Sequence, residues 1–190
     1  MEITSAAFKD GGKIPTQHVM VAAGGKNLSI PLVWKNIPPG TKSFALSIID
    51  PHPIAQNWVH WFVINISAAV TSLPEGASPQ KMPPGAVELK NSFGNIGYGG
   101  PQPPKGSGEH PYVVTLHALD VRNAKPHPES VKRILNAFRL RPEEAVFVGD
   151  SEIDRRTAEA AEIRFIAYKN RQISNGCLIE DHREILKWLV

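Results

Sequence analysis

Cysteine is nearly missing: Cys177 is the single one among 190 residues. That excludes an internal disulfide framework and fits a reducing, cytoplasmic setting. Long hydrophobic runs are missing as well. No apolar run exceeds five residues, against the ~20 needed to cross a bilayer, so no transmembrane segment is expected. The opening Met1-Glu2-Ile3-Thr4-Ser5 has neither a basic flank nor an apolar stretch and does not read as a secretory signal. Charge of one sign is scarce. With 21 Lys and Arg against 18 Asp and Glu, the net charge of +3 is too small an excess to argue for nucleic acid. What remains, 42% hydrophobic and 21% charged residues, is ordinary globular material with room for one domain or two small ones.

Composition breaks near residue 121. Residues 1–121 hold 14 of the 17 prolines and 13 of the 15 glycines, but only 15 of the 39 charged residues. Pro/Gly punctuation between short apolar runs points to an all-β domain, whereas charged amphipathic stretches between short strands point to α/β units. The expected division is 1–121 and 122–190, with the seam at 120–125.

In the first part, residues 19–22, 44–50, 59–66 and 112–120 read as strands, with 86–89 the best candidate inside the turn-rich stretch 73–108. In the second part, Val131, Ile134, Leu135 and Phe138 fall at i, i+3, i+4 and i+7, one stripe of a helix over 128–139. Residues 145–148 read as a strand ending at Gly149-Asp150. Ser151 is placed to cap a helix through 161. Residues 164–168 form a second strand, and 181–190 a closing helix with Ile185, Leu186 and Leu189 inward. That order is an open parallel α/β fragment.

Four residues of the first part carry chemistry. Asp50 ends an apolar strand and is followed by Pro51-His52-Pro53, which turns the chain out of the sheet. His60 lies inside the most apolar strand, and His110 and Tyr112 sit two apart, so an extended chain points them to one face. If these segments are neighbours, a carboxylate, two imidazoles and a phenol meet at a sheet edge, a set suited to a phosphate or another small anion. Each residue alone also has an ordinary structural reading as a hydrogen-bonded or packed core side chain, and His117, out of phase, is read as structural.

The words around these residues are more specific. Asp50-Pro51-His52-Pro53, then Asn57-Trp58-Val59-His60-Trp61-Phe62-Val63-Ile64-Asn65, then Tyr98-Gly99-Gly100-Pro101-Gln102-Pro103-Pro104-Lys105-Gly106 with His110-Pro111-Tyr112 closely resemble the phosphatidylethanolamine-binding protein family, its bacterial and archaeal branch above all. The resemblance runs to about Val121 and takes in Phe8-Lys9-Asp10-Gly11-Gly12-Lys13-Ile14-Pro15. It implies a β-sandwich whose small pocket binds phosphate-like anions. Asp50, His60, His110 and Tyr112 would line that pocket, with Trp58, Gly100 and Pro101 beside it. His52 stands where the family usually has a second acid, and Pro111 where it usually has Arg. The family's own C-terminal segment is not recognisable after Val121.

From Lys125 onward the resemblance changes. Lys125-Pro126-His127-Pro128-Glu129, followed by Val146-Phe147-Val148-Gly149-Asp150-Ser151-Glu152-Ile153-Asp154, resembles the C-terminal half of a haloacid dehalogenase-like phosphatase. By that likeness Lys125 would steady a phosphoryl group, and Asp150 and Asp154 would hold Mg²⁺. The nucleophilic Asp-x-Asp such an enzyme needs occurs nowhere in the chain, so these residues read as remnants of a site.

The whole is therefore expected to be an α+β chain: a phosphatidylethanolamine-binding-protein-like β-sandwich, lacking its C-terminal part, followed by a parallel, Rossmann-like α/β fragment. The expected function is non-enzymatic binding of a small phosphorylated or anionic ligand, with no cofactor other than Mg²⁺ at the remnant acids. The alternatives are a Mg²⁺-dependent phosphohydrolase and an engineered fold chimera with no function of its own. The strand at 145–148 normally has parallel neighbours on both sides, so its missing neighbour leaves an edge through which two copies could pair. A helix and then a strand are also what the first family needs after Asp120, and 128–139 followed by 145–148 supply that order.

Overall fold

Period-two alternation in residues 43–50 sends every second side chain to one side of a strand, and this sets the inside of the first unit. In the computed structural model, which describes residues 1–188, the chain divides into two units, Met1–Arg122 and Asn123–Val190.

The first unit contains β1 (Glu2–Thr4), β2 (Leu32–Lys35), β3 (Ser43–Asp50), β4 (Trp58–Ser67), β5 (Ser72–Leu73), β6 (Val87–Glu88) and β7 (Val113–Leu119). They form two sheets, ordered β1-β2-β5 and β6-β4-β3-β7, and every pairing is antiparallel. Leu32 and Trp34 from the first sheet and Phe44, Leu46, Ile48, Trp61, Val63 and Ile66 from the second are fully buried in one core. Trp34 meets Phe44 edge-on, with ring centroids 5.6 Å apart.

Two irregularities in the β3–β4 pairing matter for the site. Ile48 faces Trp61 and Ile49 faces Val59, so His60 is an extra residue in β4. This bulge lets His60 and Trp61, adjacent in sequence, both be buried. The second lies between Phe44 and Leu46, where Asn65 takes a positive φ of 58°.

The strand expected at 19–22 is absent. Residues Thr16–His18 and Val21–Ala23 are short 3-10 turns instead. Local bonds, Val19 N–H to the Thr16 carbonyl and Gly24 N–H to Val21, take the donors a ladder would use. Gly24, with φ of 87°, ends the second turn. The strands β1, β2 and β5 were not anticipated.

The second unit contains α1 (Glu129–Phe138), β8 (Val146–Gly149), α2 (Glu152–Ala160), β9 (Arg164–Tyr168) and β10 (Leu178–Ile179). The strands form a parallel sheet ordered β10-β9-β8, and the chain is α+β as a whole. Among the described residues of this unit β8 pairs only with β9. Ser151 caps α2 by accepting the Asp154 N–H.

The stripe on α1 is narrower than expected. Val131 and Leu135 are buried with Ala161 and Ile163, but Ile134 is 58% and Phe138 73% exposed. Only the i, i+4 row of the helix meets the small sheet, which is too narrow to cover the flanking row. The closing helix at 181–190 is also corrected. It is a 3-10 segment, His182–Trp188, with Ile185 half-buried and Leu186 exposed; Leu189 lies outside the described residues.

Replacing Leu135 with Ala is expected to lower the unfolding free energy by ~2–5 kcal/mol. Phe138→Ala should change it by less than ~0.5 kcal/mol. Urea denaturation of both variants measures the difference; equal costs would show that the exposed row is packed after all.

Candidate functional site

Asp50 is the last member of the inward row of β3, after Phe44, Leu46 and Ile48. The alternation that buries three hydrocarbons therefore also buries a carboxylate, and a buried charge requires a partner. The chain supplies one from sixty positions on: His110 Nδ1 lies 2.5 Å from Asp50 Oδ2, with both side chains almost wholly buried. Asp50 Oδ1 accepts the His52 N–H at 2.9 Å. On its far side, His110 Nε2 lies 2.8 Å from Ser107 Oγ. The His52 ring stacks on His110 at 3.9 Å with 19° between planes.

His60, turned inward by the bulge, places Nδ1 2.6 Å from the Gly99 carbonyl. Its ring is edge-on to Tyr112 at 5.0 Å and to Phe93 at 5.6 Å. Burial pushes its pKa below the ordinary histidine value, outweighing the Gly99 bond and the Asp50 charge. The Tyr112 hydroxyl is buried and has no hydrogen-bond partner. Burial first, and the Asp50 carboxylate second, push its pKa up to about 12. Asp50, His60, His110 and Tyr112 thus gather in one cluster.

The three flanking residues differ. Trp58, 37% exposed, packs edge-on against Phe93 at 5.2 Å. Gly100 and Pro101 are buried and their polar groups are committed: Gly100 N–H donates to Asn27 Oδ1, and the Pro101 carbonyl accepts from Met20 N–H. A Cβ on Gly100 would lie 2.1 Å from the His18 carbonyl, so close approach of the 18–20 segment requires glycine here. These two residues brace the loop and have no free donor to present. A cavity of about 220 Å³ adjoins the cluster through Phe93 and Gly99, and is also lined by Asn27, Asn91 and Tyr98.

His52 was visible in the sequence as a departure from the family pattern. Nothing marked Ser107 or Phe93, because both reach the cluster from turns with no periodicity to read.

In the second unit, Lys125 Nζ lies 2.6 Å from Asp154 Oδ1, and Ser151 Oγ lies 2.6 Å from Oδ2. Burial raises the Asp154 pKa, but the bonds from Lys125 and Ser151 outweigh it and hold the group below its ordinary value. Gly149 lets Asp154 pack onto the end of β8, since a Cβ there would come within 2.4 Å of the Asp154 Cβ. Lys125, Gly149 and Asp154 line a cleft of about 320 Å³ with Asp150, Tyr168 and His182. Both Asp154 oxygens are engaged, and among the described residues no group of three or more His, Cys, Asp or Glu is placed to hold a metal.

Comparison with known proteins matches residues 4–147 to the phosphatidylethanolamine-binding protein family and residues 123–176 to a HAD-hydrolase-like family. The first match passes the compositional break and takes in α1, so the family's likeness does not stop at 121. The two matches overlap over 123–147. The UPF0098 protein YbhB of Escherichia coli is 40% identical over 126 residues, 64% of this chain and 79% of that protein. The crystal structure of E. coli YbcL, described as a member of the mammalian PEBP family, has a TM-score of 0.62 at 40% identity and covers 72% of this chain and 89% of that one. A HAD-superfamily hydrolase from Geobacter sulfurreducens is 48% identical over 37% of this chain, 33% of its own, with a TM-score of 0.36.

Because the Tyr112 hydroxyl is buried without a partner, Tyr112→Phe is expected to leave stability unchanged or raise it by ~1 kcal/mol. His110→Ala strands the Asp50 carboxylate and should cost ~3–5 kcal/mol. Urea unfolding of the two variants tests this; a large loss in Tyr112→Phe would mean that the hydroxyl is bonded.

Proposed function

The chain belongs to the phosphatidylethanolamine-binding protein family, and we propose that its first unit is a non-enzymatic module holding a small phosphorylated or other anionic ligand at Asp50, His60, His110 and Tyr112. The observation that carries this reading is the Tyr112 hydroxyl, a buried donor with nothing to bond. It stands beside a closed imidazole–carboxylate pair. A group so placed has lost its hydration without compensation, and an oxyanion seated against it would supply the missing acceptor. Phe93 and Trp58 wall the place with ring surface, which limits competition from water.

The second unit is read as a fragment of a HAD-like hydrolase that performs no phosphoryl transfer. Lys125, Asp150 and Asp154 keep their places around the cleft, but a phosphoryl-enzyme requires a nucleophilic carboxylate, and no Asp-x-Asp exists in the sequence. No helix among the described residues is long and apolar enough to cross a membrane. A reducing, cytoplasmic setting is the one the single cysteine favours.

Titration with inorganic phosphate, followed by the histidine ring signals in NMR, is expected to saturate in the unaltered chain. In Tyr112→Phe it should weaken by about tenfold or more, the value of one lost bond to a charged group. Equal affinity in the variant would overturn the reading. Purified protein with Mg²⁺ should leave p-nitrophenyl phosphate unhydrolysed, and turnover that disappears in Asp150→Asn would reinstate the phosphohydrolase.

A further inference from the structure

We infer that the cluster selects its oxyanion by protonation: it takes a singly protonated species, such as a phosphomonoester monoanion, whose own O–H donates to His60 Nε2. This rests on the binding reading above and names the ligand class within it.

Counting hydrogens leads there. Ser107 has one hydroxyl hydrogen, and the Pro104 carbonyl, 2.6 Å away, can only accept it. Toward His110 Nε2, Ser107 Oγ is therefore an acceptor, so that nitrogen carries a hydrogen. The other nitrogen, Nδ1, shares one further hydrogen with Asp50 Oδ2. Whichever of the two atoms holds it, the His110–Asp50 pair carries no net charge. His52 Nδ1 receives the Ile54 N–H at 3.3 Å, so it presents a lone pair there and the ring is neutral.

The same count fixes His60. The Gly99 carbonyl can only accept, so Nδ1 carries the hydrogen, and in the neutral ring Nε2 holds a lone pair. Burial lowers the ring's pKa and so favours this neutral form, and Tyr112 keeps its proton. The ionisable groups around His60 are thus Asp50, His110, His52 and Tyr112, and their formal charges sum to zero. Phe93 and Trp58 add only ring surface.

Of the four cluster side chains, two keep a polar group for an incoming ligand: the Tyr112 O–H, which donates, and His60 Nε2, which accepts. A dianion would bring two charges to a site with no uncompensated cation, and would set an oxygen lone pair against that of His60. A monoanion without an O–H leaves His60 Nε2 desolvated and unbonded. A hydrogen phosphate or monoester monoanion satisfies both groups. Selection of this kind arises from the penalty on the wrong partner.

The test is calorimetric titration of the full chain at pH 5.5 and pH 8.5 with four probes: inorganic phosphate, phosphoserine, sulfate and dimethyl phosphate. Sulfate has the same shape and no proton in this range. Dimethyl phosphate has a single charge and no O–H. Phosphate and phosphoserine, which both pass from the singly protonated to the fully ionised phosphoryl group between these two pH values, should bind at pH 5.5 and weaken by about tenfold or more at pH 8.5. Sulfate and dimethyl phosphate should bind about tenfold or more weaker than phosphate at pH 5.5, the cost of one unmet hydrogen bond. In His60→Phe, which keeps a ring against Tyr112 but removes Nε2, phosphate and dimethyl phosphate, both monoanions at pH 5.5, should bind alike. If that variant does not fold, the four probes on the unaltered chain decide. Sulfate or dimethyl phosphate matching phosphate at pH 5.5, or a flat pH profile, overturns proton selection while anion binding stands. If none of the four binds, the binding reading fails and this inference with it.

Discussion

A carboxylate at the end of a core-facing row has to be neutralised where it stands, and the contact between Asp50 and His110 does that. Much of the first unit's local arrangement follows from it. Taking an unpaired charge out of water costs several kcal/mol, so the segment bearing His110 is held against the end of β3. Ser107 closes the far side of the ring and His52 covers its face. Tyr112, two residues past His110, is carried to the neighbouring place, where it meets the ring that the β4 bulge turned inward.

The second unit answers the same requirement in a different way. Asp154 is half of a two-acid corner at the end of a parallel strand, and Lys125 and Ser151 neutralise and bind it. The corner is intact as a structural element. The Asp-x-Asp that bears the attacking carboxylate in such enzymes occurs nowhere in the sequence. Burial of Val131 and Leu135 against Ala161 and Ile163 still gives this short sheet a small core of its own.

The likeness of residues 4–147 to one family and 123–176 to another puts α1 and the start of β8 in both. A helix followed by a short strand is a generic requirement, met by any amphipathic stretch and apolar run of suitable length. Two lineages can therefore share that stretch without sharing chemistry. The aromatic and histidine words at 50–65 and 98–112 have no such generality.

Strands with strict alternation, such as β3, and capped helices, such as α2, were legible because their periods and end residues are local signals. The strand expected at 19–22 failed because an apolar run bounded by Pro15 and Gly24 closes its own hydrogen bonds in tight turns. The strands β1, β2 and β5 went unseen because each is too short to show a period. On α1 the period was right, but burial depended on how wide a sheet the helix met.

Sequence alone determined the two-part organisation, the residue types of the cluster around Asp50 and the lack of an Asp-x-Asp motif, since composition and motif order are properties of the string. Only the tertiary structure decided which hydrogen sits on which nitrogen. That depends on Gly99, which reaches His60 from thirty-nine positions on, and on Pro104 and Ser107, which meet in an irregular turn before His110 that has no period to read. It also decided that Gly100 and Pro101 brace the loop, because their donors and acceptors are taken by residues more than seventy positions away.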